Sequence, residues 1–139
     1  MGTLVDTSVL IAAQRGELDL RKAIAADGGD AVAIATISAS ELLHGPHRMT
    51  NAVARARVER QVEHLLAQLT MVDFDLDIAR LHARLGADLA AKGAVVGAHD
   101  LIIAATALSL DYRVATRDRR SFPKIRGLDV VYWQAVSAR

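Results

Sequence analysis

The sequence predicts an α/β fold: three layers, α/β/α, around a central parallel sheet of four to five strands. Three observations carry that prediction. Short apolar runs of strand length alternate with longer amphipathic stretches at helical spacing. The stretch 101–110 (LIIAATALSL) is apolar nearly all round, as a helix in the middle of a fold must be. The apolar runs end in polar or turn-forming residues, with a helix start soon after, which is how strand–helix–strand crossovers read.

Residues 3–5 read as a short buried strand ending at Asp6, and 7–13 as the start of a helix. Asp27-Gly28-Gly29-Asp30 is a turn. Residues 31–35 (AVAIA) form the second strand. Ser38 reads as the opening of the next helix, which Gly45-Pro46 stops. Residues 49–69 form a long helical stretch with Val58, Val62, Leu65, Leu66 and Leu69 on one face and Arg48, Arg55, Arg57 and Arg60 crowding its polar half. A strand at 70–74 follows. Asp75 caps another helix, on which Ile78, Leu81, Leu85 and Leu89 share a face. After a loop at 93–97 comes the apolar helix, from about His99 to Leu110. Strands at 112–116 and 128–132 complete the set.

The chain of 139 residues fits one domain, 1–139, with one core. It has no cysteine, which excludes disulfide frameworks, zinc ribbons and thiol nucleophiles. Its apolar runs are far shorter than the ~20 residues that span a bilayer, and Asp6 interrupts the first of them. The expectation is therefore a cytoplasmic protein without a membrane segment.

Four carboxylates stand out by position. Asp6 follows the first strand, in Val5-Asp6-Thr7-Ser8. Glu41 lies in Ser38-Ala39-Ser40-Glu41, just after the second. Asp100 opens the most apolar helix. Asp118 follows the strand that ends at Thr116. Each has an ordinary structural explanation. Asp6 suits a helix cap, Glu41 completes a capping box with Ser38, and Asp118 suits a turn beside Arg119 and Arg120. Asp100 is harder to explain that way, because an unpaired carboxylate at the start of a buried helix is costly. A parallel sheet brings all four to the carboxyl edge, where such folds bind ligands. Gathered acids repel and raise one another's pKa, and a divalent cation relieves the repulsion. All-oxygen ligands suit Mg²⁺, with Mn²⁺ as a substitute, and such a metal activates water for attack on a phosphoryl group.

These residues fall in segments that resemble the PIN-domain nucleases, and within them the VapC-type toxins of toxin–antitoxin pairs. The segments are Leu4-Val5-Asp6-Thr7-Ser8-Val9-Leu10 and Ile37-Ser38-Ala39-Ser40-Glu41-Leu42-Leu43-His44-Gly45. Ala98-His99-Asp100-Leu101-Ile102-Ile103-Ala104-Ala105-Thr106-Ala107 and Ala115-Thr116-Arg117-Asp118-Arg119-Arg120-Ser121-Phe122 complete them. They occur in family order across nearly the whole chain. The resemblance implies a PIN-like sheet and Mg²⁺-dependent endoribonuclease activity that leaves a 3′-hydroxyl and a 5′-phosphate. It maps the catalytic quartet onto Asp6, Glu41, Asp100 and Asp118, with Asp6, Asp100 and Asp118 as metal ligands. It places a supporting hydroxyl at Thr7 or Ser8, with Ser8 preferred, and a second support at Thr116. It also implies a small cognate antitoxin over the active site and a homodimer.

The net charge is only +1, but setting the quartet aside leaves 12 acidic residues against 17 basic ones. A basic surface around an acidic pocket suits a nucleic-acid backbone. Arg15, Arg117, Arg119 and Arg120 are the candidates for holding RNA phosphates. The aromatic residues (Phe74, Tyr112, Phe122, Tyr132 and Trp133) are too few to predict a stacking platform, so RNA, structured RNA included, is expected to be gripped through its backbone. None of the five histidines forms a metal-binding pair, though His99 neighbours Asp100. Two other readings compete. One is a PIN nuclease of RNA processing. The other is a phosphoacceptor signalling domain, with Asp73 as acceptor and Lys124 as the late lysine, which lacks the acidic neighbour that Asp6 would need.

Overall fold

The computed structural model describes residues 1–28 and 30–134. Gly29 of the Asp27–Asp30 turn and residues 135–139 of the predicted domain lie outside the described residues. Five strands form one sheet: β1 (Thr3–Val5), β2 (Val32–Ala35), β3 (Thr70–Val72), β4 (Arg113–Thr116) and β5 (Val130–Tyr132). Every neighbouring pair is parallel, in the order β3-β2-β1-β4-β5. Among the described residues the helices are α1 (Thr7–Gln14), α2 (Leu20–Ala26), α3 (Thr36–His47), α4 (Ala52–Ala67), α5 (Leu76–Ala91) and α6 (Ala98–Leu110). No helix among them is long and apolar enough to cross a membrane.

The two-residue period of a strand divides the core into two layers. Val5, Ile34 and Ala115 pack on one face with Val9 and Leu10 of α1, Leu42 of α3 and Val62 of α4. Their neighbours Leu4, Ala33, Ala35 and Val114 pack on the other with Ile103, Ala104 and Ala107 of α6. A sheet buried on both faces needs apolar residues at consecutive positions in its central strands, as in Leu4-Val5, Ala33-Ile34-Ala35 and Val114-Ala115. Helix α6 is fully buried from Ile103 to Ala107, as its composition requires. Trp133 belongs to the first layer.

Several boundaries differ from the sequence-based expectation. Helix α3 begins at Thr36, directly after β2, with Ala35 in the cap position and no capping side chain. Ser38 is thus buried inside the helix, and the capping box with Glu41 does not form. The helix also runs through Gly45-Pro46 to His47. Pro46 lies in the last turn, where only one backbone bond is sacrificed. Helix α4 begins at Ala52, not 49, because Asn51 caps it by accepting from the Ala54 amide at 2.9 Å. Asp75 caps α5 as expected, accepting from the Ile78 amide at 2.9 Å. Helix α2 was not anticipated. Leu20, Ala23 and Ile24 share one face and pack, partly buried, against the first layer, but seven residues make too short a periodic run to read.

The chain order of the strands fixes where ligands fit. Strands β1, β2 and β3 step outward in one direction, and β4 then pairs on the other side of β1. Between β1 and β4 the crossovers diverge, and a crevice opens at the carboxyl ends of those two strands.

Candidate active site

Asp6 and Asp118 flank that crevice. Asp6 directly follows β1, and its amide donates to the Ala115 carbonyl of β4 at 2.8 Å. Asp6 stands in the cap position of α1, yet its side chain makes no capping bond. Its carboxylate instead accepts from Ser8 Oγ at 2.7 Å and from Thr116 Oγ1 at 2.8 Å, both on Oδ2. Thr116 ends β4, is fully buried, and also accepts from the Asp118 amide at 2.9 Å. One threonine hydroxyl thus joins the segments that carry the two acids. The Ser8 hydroxyl takes the Arg117 amide at 3.0 Å, closing the same ring of bonds.

Glu41 reaches the edge from α3, one turn deeper than a first-turn position. Thr7 Oγ1 lies 2.8 Å from Glu41 Oε1 and 2.9 Å from Ser38 Oγ. The two neighbouring hydroxyls therefore divide the work: Ser8 holds Asp6 and Thr7 holds Glu41. His99 Nδ1 stands 3.5 Å from Glu41 Oε2.

Asp100 is the third residue of α6, so its carboxylate lies over the free amides of the helix start. A Cβ on Gly97 would come within 3.2 Å of Asp100 Oδ2, so the glycine leaves room for the acid. Burial pushes the Asp100 carboxyl above its ordinary value. The neighbouring Ser121 hydroxyl opposes this, the charges of Asp118 and Glu41 push it further up, and His99 pulls it back. Burial likewise raises Asp6, the Ser8 and Thr116 hydroxyls pull it back, and Asp100 raises it again. Asp100 thus stands within electrostatic reach of each of the other three acids.

Cations near this group are few. Among the described residues neither Asp6 nor Asp100 forms an ion pair. Asp118 has Arg120 Nε at 3.7 Å, and its Oδ1 accepts from the Arg120 amide at 2.8 Å, so its expected turn role is also present. No three acidic or histidine side chains among the described residues converge tightly enough to make a preformed metal cage. The donor chemistry nonetheless fits a hard divalent cation. The ligands are carboxylate oxygens, and two of the acids are raised by burial and mutual repulsion, with no ion pair to either among the described residues.

The four arginines singled out from the sequence separate. Arg15 ends α1, at the opposite end of that helix from Asp6. Arg117 Nη1 pairs with Glu17 at 3.2 Å. Arg119 lies over the Tyr132 ring, 4.0 Å from its centroid. Arg120 is 92% exposed. An open cleft lined by Ser8, Arg117, Asp118, Arg119 and Arg120 adjoins the acids. Sequence reasoning missed Ser121, whose only signal is its place three residues after Asp118, and missed the buried Ser38 behind Thr7. Asp73, the phosphoacceptor candidate, is exposed after β3, on the edge strand farthest from β4.

The PIN domain pattern matches residues 3–128. The chain is 32% identical over 131 residues to ribonuclease VapC1 of Rickettsia felis, covering 94% of this chain and 96% of that protein. It is 32% identical over 100 residues to the tRNA(fMet)-specific endonuclease VapC of Salmonella typhimurium, covering 72% of this chain and 74% of that one. Among solved structures, DNA-bound VapBC from Salmonella typhimurium superposes with a TM-score of 0.85 at 27% identity, over 96% of this chain and 98% of the other.

Proposed function

The chain belongs to the PIN-domain family and to its VapC group, and from that premise we propose that it is the endoribonuclease toxin of a type II toxin–antitoxin pair. It hydrolyses RNA phosphodiester bonds at Asp6, Glu41, Asp100 and Asp118, with Mg²⁺, or Mn²⁺ in its place, as cofactor. The observation that carries this reading is the pair Asp6 and Asp100. Both are raised by burial, each acid lies within reach of the other's charge, and among the described residues neither forms an ion pair.

Asp6, Asp100 and Asp118 are the residues that would hold the metal. When bound, the metal supplies Lewis-acid polarisation of a phosphoryl oxygen and makes water more acidic. The protein's own part is positioning. Ser8 and Thr116 fix the Asp6 carboxylate, and Thr7 fixes that of Glu41. Glu41 keeps one oxygen directed to His99 and faces the reacting phosphate from α3, placed to take a proton from the attacking water. Arg117, Arg119 and Arg120 border the acids on the β4 side and balance the charge of the RNA backbone. In-line attack by water expels the 3′ oxygen and leaves a 5′-phosphate.

The VapBC complex above supports an antitoxin as partner, and we extend the proposal to its lying over the acidic edge and to a homodimer acting on cytoplasmic RNA. The test is incubation of the purified chain with bulk tRNA in Mg²⁺ or in EDTA, followed by end analysis. Cleavage only with Mg²⁺, giving ends that ligate as 5′-phosphates, is expected. Cleavage that continues in EDTA, or 2′,3′-cyclic phosphate ends, would refute the mechanism.

A further inference from the structure

The segment after β4 carries three arginines, and each has a different environment. Arg117 is tied to Glu17. Arg120 extends into solvent beside Asp118. Arg119 makes no ion pair among the described residues, and its guanidinium sits over the Tyr132 ring with Cζ 4.0 Å from the centroid. That is well inside the ~6 Å range of a cation–π contact.

The position of this pair matters more than its energy. Tyr132 is the last residue of the edge strand β5 and is paired in register with Thr116. Thr116 holds Asp6. Strands lie about 4.8 Å apart, so Tyr132 stands roughly 10 Å across the sheet from the strand that ends at Asp6. Arg119 itself follows Asp118 directly and stays exposed. With Ser8, Arg117, Asp118 and Arg120 it lines an open cleft of about 520 Å³. That lies within the ~300–1,000 Å³ range of small-ligand sites.

We propose that the Arg119–Tyr132 stack is a nucleobase platform. The ring fixes the lower face of the guanidinium, and the upper face receives the base of a nucleotide flanking the scissile phosphate. The inference rests on the RNA-cleaving function proposed above and adds to it how the substrate strand is gripped. Guanidinium planes stack on unpaired bases, so the platform selects single-stranded RNA at this position. It replaces the expectation that aromatic scarcity leaves only backbone contacts, because an arginine on one tyrosine supplies the flat surface. Every base has a π face, so the platform favours a splayed base without choosing its identity. A lysine cannot substitute, since it has charge but no plane.

The test uses single-stranded hexaribonucleotides with 2-aminopurine at each position in turn, bound in EDTA to prevent cutting. Wild-type protein is expected to quench fluorescence at one position. Arg119→Lys, which keeps the charge, is expected to lose that quenching and to bind about tenfold more weakly. Removing the base at that position should slow wild-type cleavage in Mg²⁺ by about the same factor and slow Arg119→Lys no further. The platform is overturned if the oligonucleotide binds and Arg119→Lys quenches as wild type does, or if base removal penalises both proteins equally. If the RNA is neither bound by anisotropy nor cut in Mg²⁺, and bulk tRNA is also left intact, the nuclease reading falls and the platform with it.

Discussion

Thr116 donates its hydroxyl to the Asp6 carboxylate at 2.8 Å across 110 positions of sequence, and the same oxygen accepts the Asp118 amide. The bond links the ends of the two strands that border the crevice. It converts a feature of sheet register into the placement of two acids. A valine there keeps the shape and removes both bonds. Thr116→Val is expected to lower Mg²⁺-dependent cleavage about 10–100-fold, the usual cost of losing a group that orients a metal ligand. Thr116→Ser should retain most activity. Rates measured across a Mg²⁺ titration decide it, and equal rates for wild type and Thr116→Val would remove Thr116 from the site.

Stability should depend on pH through the raised carboxyls of Asp6 and Asp100. A carboxyl raised on folding binds its proton more tightly in the native state than in the unfolded chain. The native state is therefore favoured most at low pH by these groups, and that advantage declines as pH rises from the ordinary value of 3.8 through the raised one. In metal-free buffer at neutral pH, Asp100→Asn should melt above wild type, and the gap should close as pH approaches 4. Melting curves at several pH values test this. An Asp100→Asn protein less stable than wild type at pH 7 would contradict the repulsion argument.

Mg²⁺ should reverse that penalty. A cation competes with protons for the same oxygens, so its affinity should grow as pH rises through the raised values. At a hundred times its dissociation constant a ligand stabilises by about 2.7 kcal/mol. Wild type should gain thermal stability from Mg²⁺, more at pH 8 than at pH 5, and Asp100→Asn should gain far less. An equal gain in both proteins would mean that the ion binds elsewhere.

The short 3₁₀ turn Phe122–Lys124 buries Phe122 completely in the layer shared by β4 and α6. This anchor holds the Asp118–Ser121 segment against the site. Phe122→Ala is expected to cost about 3–5 kcal/mol, read as a shift in the urea midpoint. A loss below 1 kcal/mol would mean that the segment is held by its arginine contacts instead.

The main framework was legible because buried parallel strands place apolar residues at consecutive positions, as in Leu4-Val5, Ala33-Ile34-Ala35 and Val114-Ala115. Helix α6 was legible because its all-round apolar surface admits one environment. Helix α2 was not, since its apolar face of Leu20, Ala23 and Ile24 makes too short a run to read. Ser38 misled for a local reason: it resembles a cap, but the strand passes directly into the helix at Ala35 and Thr36. At the candidate site, Asp100 was the acid least explained by local structure, and it stands among the other three. The two hydroxyl partners were harder to assign. Thr7 and Ser8 are adjacent, and only the direction of α1's first turn decides that one meets Glu41 and the other Asp6. The Arg119–Tyr132 contact was invisible because it depends on β5 pairing beside β4.

If the four carboxylates act as one metal-dependent site for RNA cleavage, the decisive quantity is the rate at which Asp100→Ala cleaves RNA in saturating Mg²⁺. A fall of at least about a hundredfold is expected, the scale of losing a principal electrostatic group, in a variant that remains folded. Cleavage by Asp100→Ala at the wild-type rate would contradict it.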